Sequence, residues 1–409
     1  MPTESNTASE RAAFAMLMAL VSGFAMSQAF RTAAAILAPP LQAEFGLTPQ
    51  ELGVYAGAFH FAFGGLQLFM GMGIDVWGPR RTVLAVFPLT VLGSALAATA
   101  NGYTQLLVGQ AVIGIGCAPA FLACTVFTAR HFAASRFAAV QGAALGIGSV
   151  GLLLTGTPLA WIVEASSWRA GYVALAAGSL FAWLAILLLV RDEPPAPDGP
   201  RPGMLAALRG YGELFALRHT WGIVVLALFT YAAFLSLRGL WLGPLLVERH
   251  GLSLVQAGHV ALAVSVLGMA GPPIYGRLDP GERTRRRWIA GWTFSVAAMY
   301  MLMAVTHSAT LDIVVCNVMS IVAGFIVLQY ADVRTAYPAH MTGRAMAVFT
   351  MAMFLGVGLM QWVTGLVATA SRGWGVELYG AVLGSIGLML AAAAVAFLVL
   401  PAPRKSPPA

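Results

Sequence analysis

The sequence predicts an all-α membrane protein with twelve transmembrane helices arranged in two pseudo-symmetric six-helix bundles. Three observations predict this fold: the composition, the number of long apolar windows, and two landmarks that recur at nearly one offset. Hydrophobic residues make up 59% of the 409 residues and charged residues 10%, and the mean hydropathy is +0.80. This composition excludes a soluble globular protein.

Windows of about twenty apolar residues, enough to cross roughly 30 Å of hydrocarbon at about 1.5 Å per residue, recur down the chain. The first window follows a polar start at residues 1–12 and is too long for the core of a cleaved signal, so it is a retained helix. The predicted helices, numbered 1 to 12, cover residues 13–40, 52–74, 82–100, 104–129, 137–163, 170–190, 221–247, 255–276, 288–306, 310–331, 344–370 and 376–400.

Two landmarks repeat between the first and the second half of the chain. Asp75 lies in a glycine- and arginine-rich turn at residues 71–81, and Asp279 lies in a weaker copy at residues 275–283, so 279 minus 75 gives an offset of 204. The segments Gly46-Leu47-Thr48 and Gly251-Leu252-Ser253 differ by 251 minus 46, which is 205. The shared offset predicts two related halves, 1–190 and 221–409, as in transporters built from parallel repeats.

The segment between the halves, residues 191–220, contains five prolines and breaks the hydropathy. Its proline-rich part predicts a semi-rigid cytoplasmic linker. The second part, Met204 to Leu217, alternates apolar and basic residues at helical spacing. That pattern fits a helix lying on the inner membrane surface, and a solvated connector without membrane contact stays open.

The basic residues predict the orientation of the helices. Of the 23 lysines and arginines, 18 fall on the side of both termini, three fall on the opposite side, and two lie inside predicted helices. The positive-inside rule therefore places both termini in the cytoplasm of a plasma (bacterial inner) membrane. Because the charge sits at loop ends rather than on one basic face, the net charge of +7 does not indicate nucleic-acid binding.

The loop between helices 2 and 3 reads G-x-x-x-D-x-x-G-x-R-R and resembles the signature loop of the major facilitator superfamily. The resemblance implies alternating access and a conformational latch in which Asp75 meets a cytoplasmic arginine or the start of helix 11. The residues expected to form the latch or its counterpart in the second half are Gly71, Asp75, Gly78, Arg80, Arg81, Arg130, Arg136 and Asp279.

Arg31 in helix 1 and Arg238 in helix 7 are the two basic residues inside the predicted membrane spans. A charge at that depth costs roughly 3 kcal/mol, so it indicates a partner or a function. All sixteen acidic residues fall at helix ends or in loops, and two guanidinium groups without a carboxylate predict an anion site. The chain is similar in this respect to the anion-carrying branches of the superfamily, which pair arginines on helices 1 and 7; the alternative is that both arginines brace the helices through backbone carbonyls.

Further polar or aromatic side chains fall at similar depth and complete the predicted substrate-binding set. They are Gln28, His60, Gln67, Tyr231, Trp241, Asn317 and Gln361. His60 is the titratable side chain near the centre of a helix, and with a reference pKa near 6.5 it is predicted to couple transport to protons. A purely structural histidine, or amides that only join helices, stay open.

The sequence therefore predicts a monomeric secondary transporter of a small organic or inorganic anion, such as a carboxylate, a phosphate ester, nitrate or cyanate, by symport with protons. The open alternatives are an anion exchanger, a drug or siderophore efflux transporter, and a non-transporting membrane sensor. Gln110 stands where many proton-coupled members carry an arginine, which disfavours proton-driven drug export.

Catalysis and metal binding are not predicted. The predicted bundle shows no nucleophile–base set, so an enzyme is not expected. The three cysteines, Cys117, Cys124 and Cys316, lie in apolar runs without metal-ligand spacing and are interpreted as packing residues. No cofactor is expected.

Overall fold

The computed structural model describes residues 4–191 and 211–402; the side chains of residues 4–10, 75, 134, 135, 137–139, 339, 340, 372 and 374 lie outside that description. Twelve helices in the described part are long and apolar enough to cross a membrane, which confirms the predicted fold class. They are α1 (Arg11–Phe45), α2 (Pro49–Ile74), α3 (Val76–Ala98), α4 (Tyr103–His131), α5 (Val140–Ala165), α6 (Trp168–Leu189), α7 (Arg218–Arg249), α8 (Leu254–Arg277), α9 (Arg285–Val305), α10 (Ala309–Ala336), α11 (Met341–Ser371) and α12 (Leu378–Val399).

The described residues form two compact units. The first contains residues 4–47, 54–191 and 238–262, and the second contains residues 48–53, 211–237 and 263–402. The end of α7 and the start of α8 therefore belong to the same unit as α1. The division into halves at residues 1–190 and 221–409 stays a prediction, and the first half of the predicted interfacial helix at 204–217, residues 204–210, lies outside the described residues.

The sequence repeat corresponds to a repeated helix boundary. Gly46 and Gly251 both have positive φ angles, 63° and 68°, which end α1 and α7 in the left-handed conformation that glycine adopts without a steric penalty. A capping box then starts the next helix. The hydroxyl of a Thr or Ser accepts from the backbone N–H of the residue three positions later, and the side chain of that residue accepts from the backbone N–H of the Thr or Ser. The pairs are Thr48 with Glu51 and Ser253 with Gln256.

The predicted turn at residues 71–81 is shorter in the structure. Helical backbone runs from Gln67 to Val86 and breaks at one residue, Gly78, with φ 84° and ψ 162°. Pro79 follows directly, where the first turn of a helix tolerates a missing N–H. The predicted turn is thus reduced to a single-glycine kink near the start of α3, and Asp75, between α2 and α3, lies in helical backbone with its side chain outside the description.

Two helices depart from regular α geometry in ways that hydropathy does not reveal. In α7, π-helical turns at Leu237–Trp241 and Leu245–Arg249 flank the short α-helical segment Leu242–Pro244. In α2, helical geometry is interrupted at Leu66, between Pro49–Gly65 and the segment that begins at Gln67. Because π-turns are rare and cluster at functional sites, the one that contains Arg238 marks this part of α7.

Candidate functional site

Both intramembrane arginines are buried within the first unit. Arg31 is 5% exposed and Arg238 is 2% exposed. Burial of a guanidinium group at this depth is costly without compensating interactions. The surroundings of the two side chains therefore decide what the arginines can do.

The helices that carry the two arginines touch each other backbone to backbone. A Cβ atom on Gly243 would lie 1.6 Å from the carbonyl oxygen of Ala35, so only glycine permits this approach of α7 to α1. Arg31 precedes Ala35 by four residues and Arg238 precedes Gly243 by five. Successive membrane helices alternate in direction, so α1 and α7 run the same way, and both arginines lie about 6–8 Å along their helices before the crossing.

A break in α5 supplies the described partner of Arg238. Nη2 of Arg238 donates to the carbonyl oxygen of Leu152 at 3.0 Å. Leu152 lies in the short helical segment Val150–Leu154, after which the helix is interrupted, so its carbonyl is in the last turn, where acceptors lack intrahelical donors. The same segment packs on α1, because a Cβ on Gly151 would lie 1.8 Å from the carbonyl oxygen of Ala25.

An aromatic ring lies against Arg31. The guanidinium carbon Cζ is 4.7 Å from the ring centroid of Phe63, within the range of a cation–π interaction. Phe63 stacks on Phe59, with ring centroids 5.9 Å apart and planes inclined by 16°. Both rings belong to α2, so this helix provides an apolar, polarisable wall beside the charge.

His60 is fixed by its own helix. The side chain is 2% exposed, its Nδ1 lies 3.2 Å from the carbonyl oxygen of Ala56, and its ring meets the Phe59 ring edge-on at 5.0 Å. A carbonyl oxygen only accepts, so Nδ1 carries the hydrogen of that bond. The donor of this bond is therefore Nδ1, and Nε2 is the other ring nitrogen.

The remaining predicted residues of the first unit have different surroundings. Gln67 is half-buried, and its Nε2 donates to the carbonyl oxygens of Phe63 and Ala118 at 3.4 and 3.3 Å. Gln28 is half-buried on α1, and in the described part of the chain its buried Oε1 has no hydrogen-bond partner. Trp241 is 2% exposed and ends the first π-turn. This unit therefore contains Arg31, Arg238, Gln28, His60, Gln67 and Trp241.

Three predicted substrate-binding residues lie in the second unit instead. The Tyr231 ring meets the Phe354 ring edge-on at 5.5 Å, and Asn317 donates to the carbonyl oxygen of Ile313 in its own helix at 2.8 Å. Gln361 is fully buried, and among the described residues neither of its amide atoms has a hydrogen-bond partner. Uncompensated burial of an amide is costly, which marks Gln361 as the residue of this group with spare hydrogen-bonding capacity.

Regular α-helical spacing would place Tyr231, Arg238 and Trp241 on one side of helix 7. The spacing is not α-helical there, because a π-turn at Leu237–Trp241 contains more residues per turn. The shared face of Tyr231 and Trp241 is therefore not supported by the backbone geometry.

The latch residues of the first half are only partly described. Arg80 donates from Nη2 to the carbonyl oxygen of Leu187 at 3.2 Å, and Arg81, Arg130 and Arg136 are exposed. The structure does not describe the side chain of Asp75. The expected contact between Asp75 and a cytoplasmic arginine or the start of helix 11 therefore stays a prediction. The glycines Gly71 and Gly78 are half-buried.

The counterpart in the second half is fully described and has a partner that sequence reasoning missed. Arg285 donates from Nε and Nη2 to the two carboxylate oxygens of Asp279 at 2.9 and 2.7 Å, a bidentate pair. These hydrogen bonds hold the pKa of Asp279 below its ordinary value. The basic run at residues 285–287, six positions after Asp279, is the signal that could have identified the partner.

Gln110, noted in the sequence for its lack of charge, belongs to a buried polar network. Its Nε2 donates to the hydroxyl of Tyr172 at 3.0 Å, and the hydroxyls of Tyr172 and Tyr55 are hydrogen-bonded to each other. All three side chains are at most 2% exposed. Neutral groups thus join α2, α4 and α6 at this level, and the sequence alone did not indicate the two tyrosines.

The cysteines and the possible metal ligands give no further site in the described residues. Cys117, Cys124 and Cys316 are buried free thiols. Within the same residues, the histidine, cysteine and acidic side chains form no group of three or more that could hold a metal ion.

Comparison with known proteins identifies similar sequences over most of the chain. Residues 19–361 match the family model described as Major Facilitator Superfamily. The probable sulfoacetate transporter of Cupriavidus necator is 27% identical over 60% of this chain and 59% of that protein. The hexuronate transporter of Bacillus subtilis is 23% identical over 59% and 58%, and the puromycin resistance protein of Streptomyces alboniger is 32% identical over 44% and 36%. The aligned region thus spans less than two thirds of each of these relatives.

A solved structure supports the fold over nearly the full length. A bacterial homolog to the human lysosomal transporter Spinster, in an inward-facing and unoccupied conformation, superimposes with a TM-score of 0.73. The comparison covers 95% of each chain at 18% sequence identity. At that identity the similarity is evidence for the helical fold.

Proposed function

The chain belongs to the Major Facilitator Superfamily, a multi-pass membrane transporter family, and from this premise we propose that it carries a small organic or inorganic anion by alternating access. Arg31 and Arg238 are the proposed anion-binding residues. The observation that carries the proposal is the presence of both buried arginines next to one close crossing of α1 and α7 in one compact unit.

The charge balance near the crossing favours an anion. Among the carboxylates of the first unit whose side chains are described, Glu44, Glu164 and Glu248 each lie within two residues of the end of a membrane helix. Glu44 is 13 residues from Arg31, or about 20 Å along α1, and it pairs with Arg169 at 2.7 Å. These carboxylates are too far from the arginines to neutralise them. A bound anion would accept the charge-assisted hydrogen bonds of the guanidinium groups instead.

The names of the similar proteins support the same substrate class. Two of the similar proteins are named as a probable sulfoacetate transporter and a hexuronate transporter. Sulfoacetate and hexuronates are both anions. We infer a carboxylate, phosphate ester or similar oxyanion as substrate. Gln28 and Gln67, predicted contacts in the same unit as the arginines, would bind its neutral polar groups.

The proposed coupling is symport with a proton on His60. Nε2 of His60 is the nitrogen that can take up the proton, and the residue shares α2 with the ring that contacts Arg31. A positive His60 and a bound anion attract each other, so each should promote binding of the other. The competing mechanism is exchange, in which a second anion neutralises the arginines on the return step.

The 18 to 3 distribution of basic residues supports a location in the bacterial inner membrane with both termini cytoplasmic. A monomer is proposed, since one chain supplies both bundles of the fold.

Drug export is the second candidate, because one relative is a puromycin resistance protein. The two functions differ in the charge of the ligand. A cationic drug would be repelled by Arg31 and Arg238, whereas an anion would be attracted.

The test is a thermal-shift screen of the purified protein against sulfoacetate, glucuronate, inorganic phosphate, nitrate and puromycin. A ligand that binds the folded state raises its stability by RT ln(1 + [L]/Kd), about 2.7 kcal/mol at a hundredfold excess over Kd. We expect at least one anion to stabilise the wild type, and Arg31→Gln and Arg238→Gln each to lose that shift. The exposed Arg287→Gln serves as the matched control and should keep it.

Stabilisation by puromycin and by none of the anions would replace anion transport with drug export. Anion binding that is equal in the wild type and both glutamine variants would return the arginines to a bracing role.

A further inference from the structure

We propose that Phe63 is a positioning residue that sets the orientation of the Arg31 guanidinium for anion binding, a role that rests on the proposed anion transport. The ring does not contact the anion in this proposal. It acts through Arg31, and the strength of anion binding therefore depends on an aromatic side chain at position 63.

The contact between Phe63 and Arg31 is close and buried. Phe63 is 1% exposed and Arg31 is 5% exposed, so water does not weaken their interaction. With Cζ 4.7 Å from the ring centroid, the positive charge lies over the aromatic system. Cation–π attraction is strongest where the pair is desolvated.

The guanidinium group is planar, and its N–H bonds point outward in that plane. A ring on one side restricts the rotation of the group about its long side chain. An oxyanion bound by two parallel N–H bonds needs this plane to be fixed, because both hydrogen bonds form only in one orientation.

The Phe63 ring is itself held in place. Phe63 stacks on Phe59, and a Cβ on Gly114 would lie 2.4 Å from the carbonyl oxygen of Phe59, so α4 packs directly on α2 there. The carbonyl oxygen of Phe63 also accepts from Gln67 at the interruption of α2. A ring fixed by stacking, packing and a backbone hydrogen bond can transmit its position to Arg31.

Ordinary core packing does not account for the whole contact. A leucine at position 63 would fill much of the same space and stay buried, but it has no π system to attract the guanidinium. The difference between phenylalanine and leucine at this position therefore isolates the positioning effect. We expect it to be about 5- to 30-fold in affinity, which corresponds to about 1–2 kcal/mol, the upper part of the range for cation–π contacts.

The experiment compares Phe63→Leu and Phe63→Tyr with wild type, using the anion identified by the thermal-shift screen. Kd is measured by calorimetry, and KM and kcat are measured by uptake into proteoliposomes. Phe63→Leu should raise Kd and KM about 5- to 30-fold with kcat nearly unchanged, and Phe63→Tyr, which keeps the ring, should stay near wild type. Phe127→Leu is the matched control, since Phe127 is equally buried at 1% and stacks on His131 rather than on Arg31; it should lose stability and keep its Kd.

Arg31→Gln separates this inference from the proposed function. If Arg31→Gln abolishes binding while Phe63→Leu binds as tightly as wild type, Phe63 has no positioning role and anion transport stands. If Arg31→Gln itself binds normally, the proposed function fails first. If Phe63→Leu does not fold, Phe63→Met replaces it, since methionine is also non-aromatic. A Kd for the anion equal to that of the wild type would then overturn the proposal.

Discussion

Arg31 lies in a regular stretch of α1 with its guanidinium against an aromatic ring, whereas Arg238 lies in a π-helical turn of α7 and donates to a backbone carbonyl. The two helices are counterparts in the repeat and end in the same way, at Gly46 and Gly251. The distance to that end differs, since Arg31 precedes its glycine by 15 residues and Arg238 by 13. The duplicated frame is therefore symmetric at its helix boundaries and asymmetric at its buried charges.

This difference suggests unequal roles for the two arginines. A ring beside a guanidinium restricts the rotation of its plane, while the carbonyl of Leu152 engages Nη2 of Arg238. Because bidentate recognition needs a fixed plane, we propose Arg31 for bidentate recognition of the anion. Arg238 lies in backbone of unusual geometry and is the better candidate for following a conformational change.

The largest expected effect comes from separating the two helices. Gly243→Ala places a methyl group where the carbonyl oxygen of Ala35 lies, so α1 and α7 must move apart and the arginines lose their common position. We expect anion binding to fall more than about a hundredfold, and overpacking of this kind costs about 1–3 kcal/mol of stability. Calorimetry with the identified anion measures the loss of binding, and thermal unfolding measures the loss of stability.

Gly291→Ala is the control for this change, because a Cβ there meets no atom within 4 Å. Normal binding by Gly243→Ala would mean that the close crossing is not what holds the two arginines together.

An intermediate effect should distinguish the two arginines directly. Arg31→Lys loses the planar fork and should weaken anion binding on the order of tenfold or more, the range of a lost hydrogen bond between charged groups. Arg238→Lys should also bind poorly but retain more affinity, because an ammonium group can still donate to the carbonyl of Leu152. Titration of both variants with the same anion measures the difference, and equal losses would argue that the two side chains act alike.

The smallest expected effect concerns the proton. His60 lies on α2, the helix whose Phe63 ring contacts Arg31. The positive form of His60 attracts the anion, so the affinity of the protein for the anion should rise on the order of fivefold as the pH falls from 8 to 5.5. His60→Gln should remove this dependence, and the exposed His307→Gln should keep it. Binding is measured by calorimetry, and uptake into proteoliposomes is measured with an inward proton gradient.

Symport by this mechanism would be excluded by one combination of results. Uptake that ignores the gradient, requires anion inside the vesicles and is unchanged in His60→Gln would leave exchange as the mechanism.

The sequence by itself determined the features that depend on composition and local pattern. Apolar windows of sufficient length predicted twelve helices because the membrane requires a minimum length of hydrophobic chain. The segments that begin at Gly46 and Gly251 predicted a repeat, and the helix ends found there depend on local chemistry, because a glycine and a following capping box act within a few residues. The burial of Arg31 and Arg238 also followed from their positions inside apolar windows.

Only the tertiary structure decided which groups those residues meet. The packing of separate helices decides the cation–π contact of Arg31 and the hydrogen bond from Arg238 to the carbonyl of Leu152. A turn of the chain decides the bidentate partner of Asp279. The π-turn at Leu237–Trp241 carries no hydropathy signal, because an extra residue per turn leaves the apolar composition unchanged. Contacts between residues far apart in the chain arise from packing complementarity, which a single sequence read by local pattern does not encode.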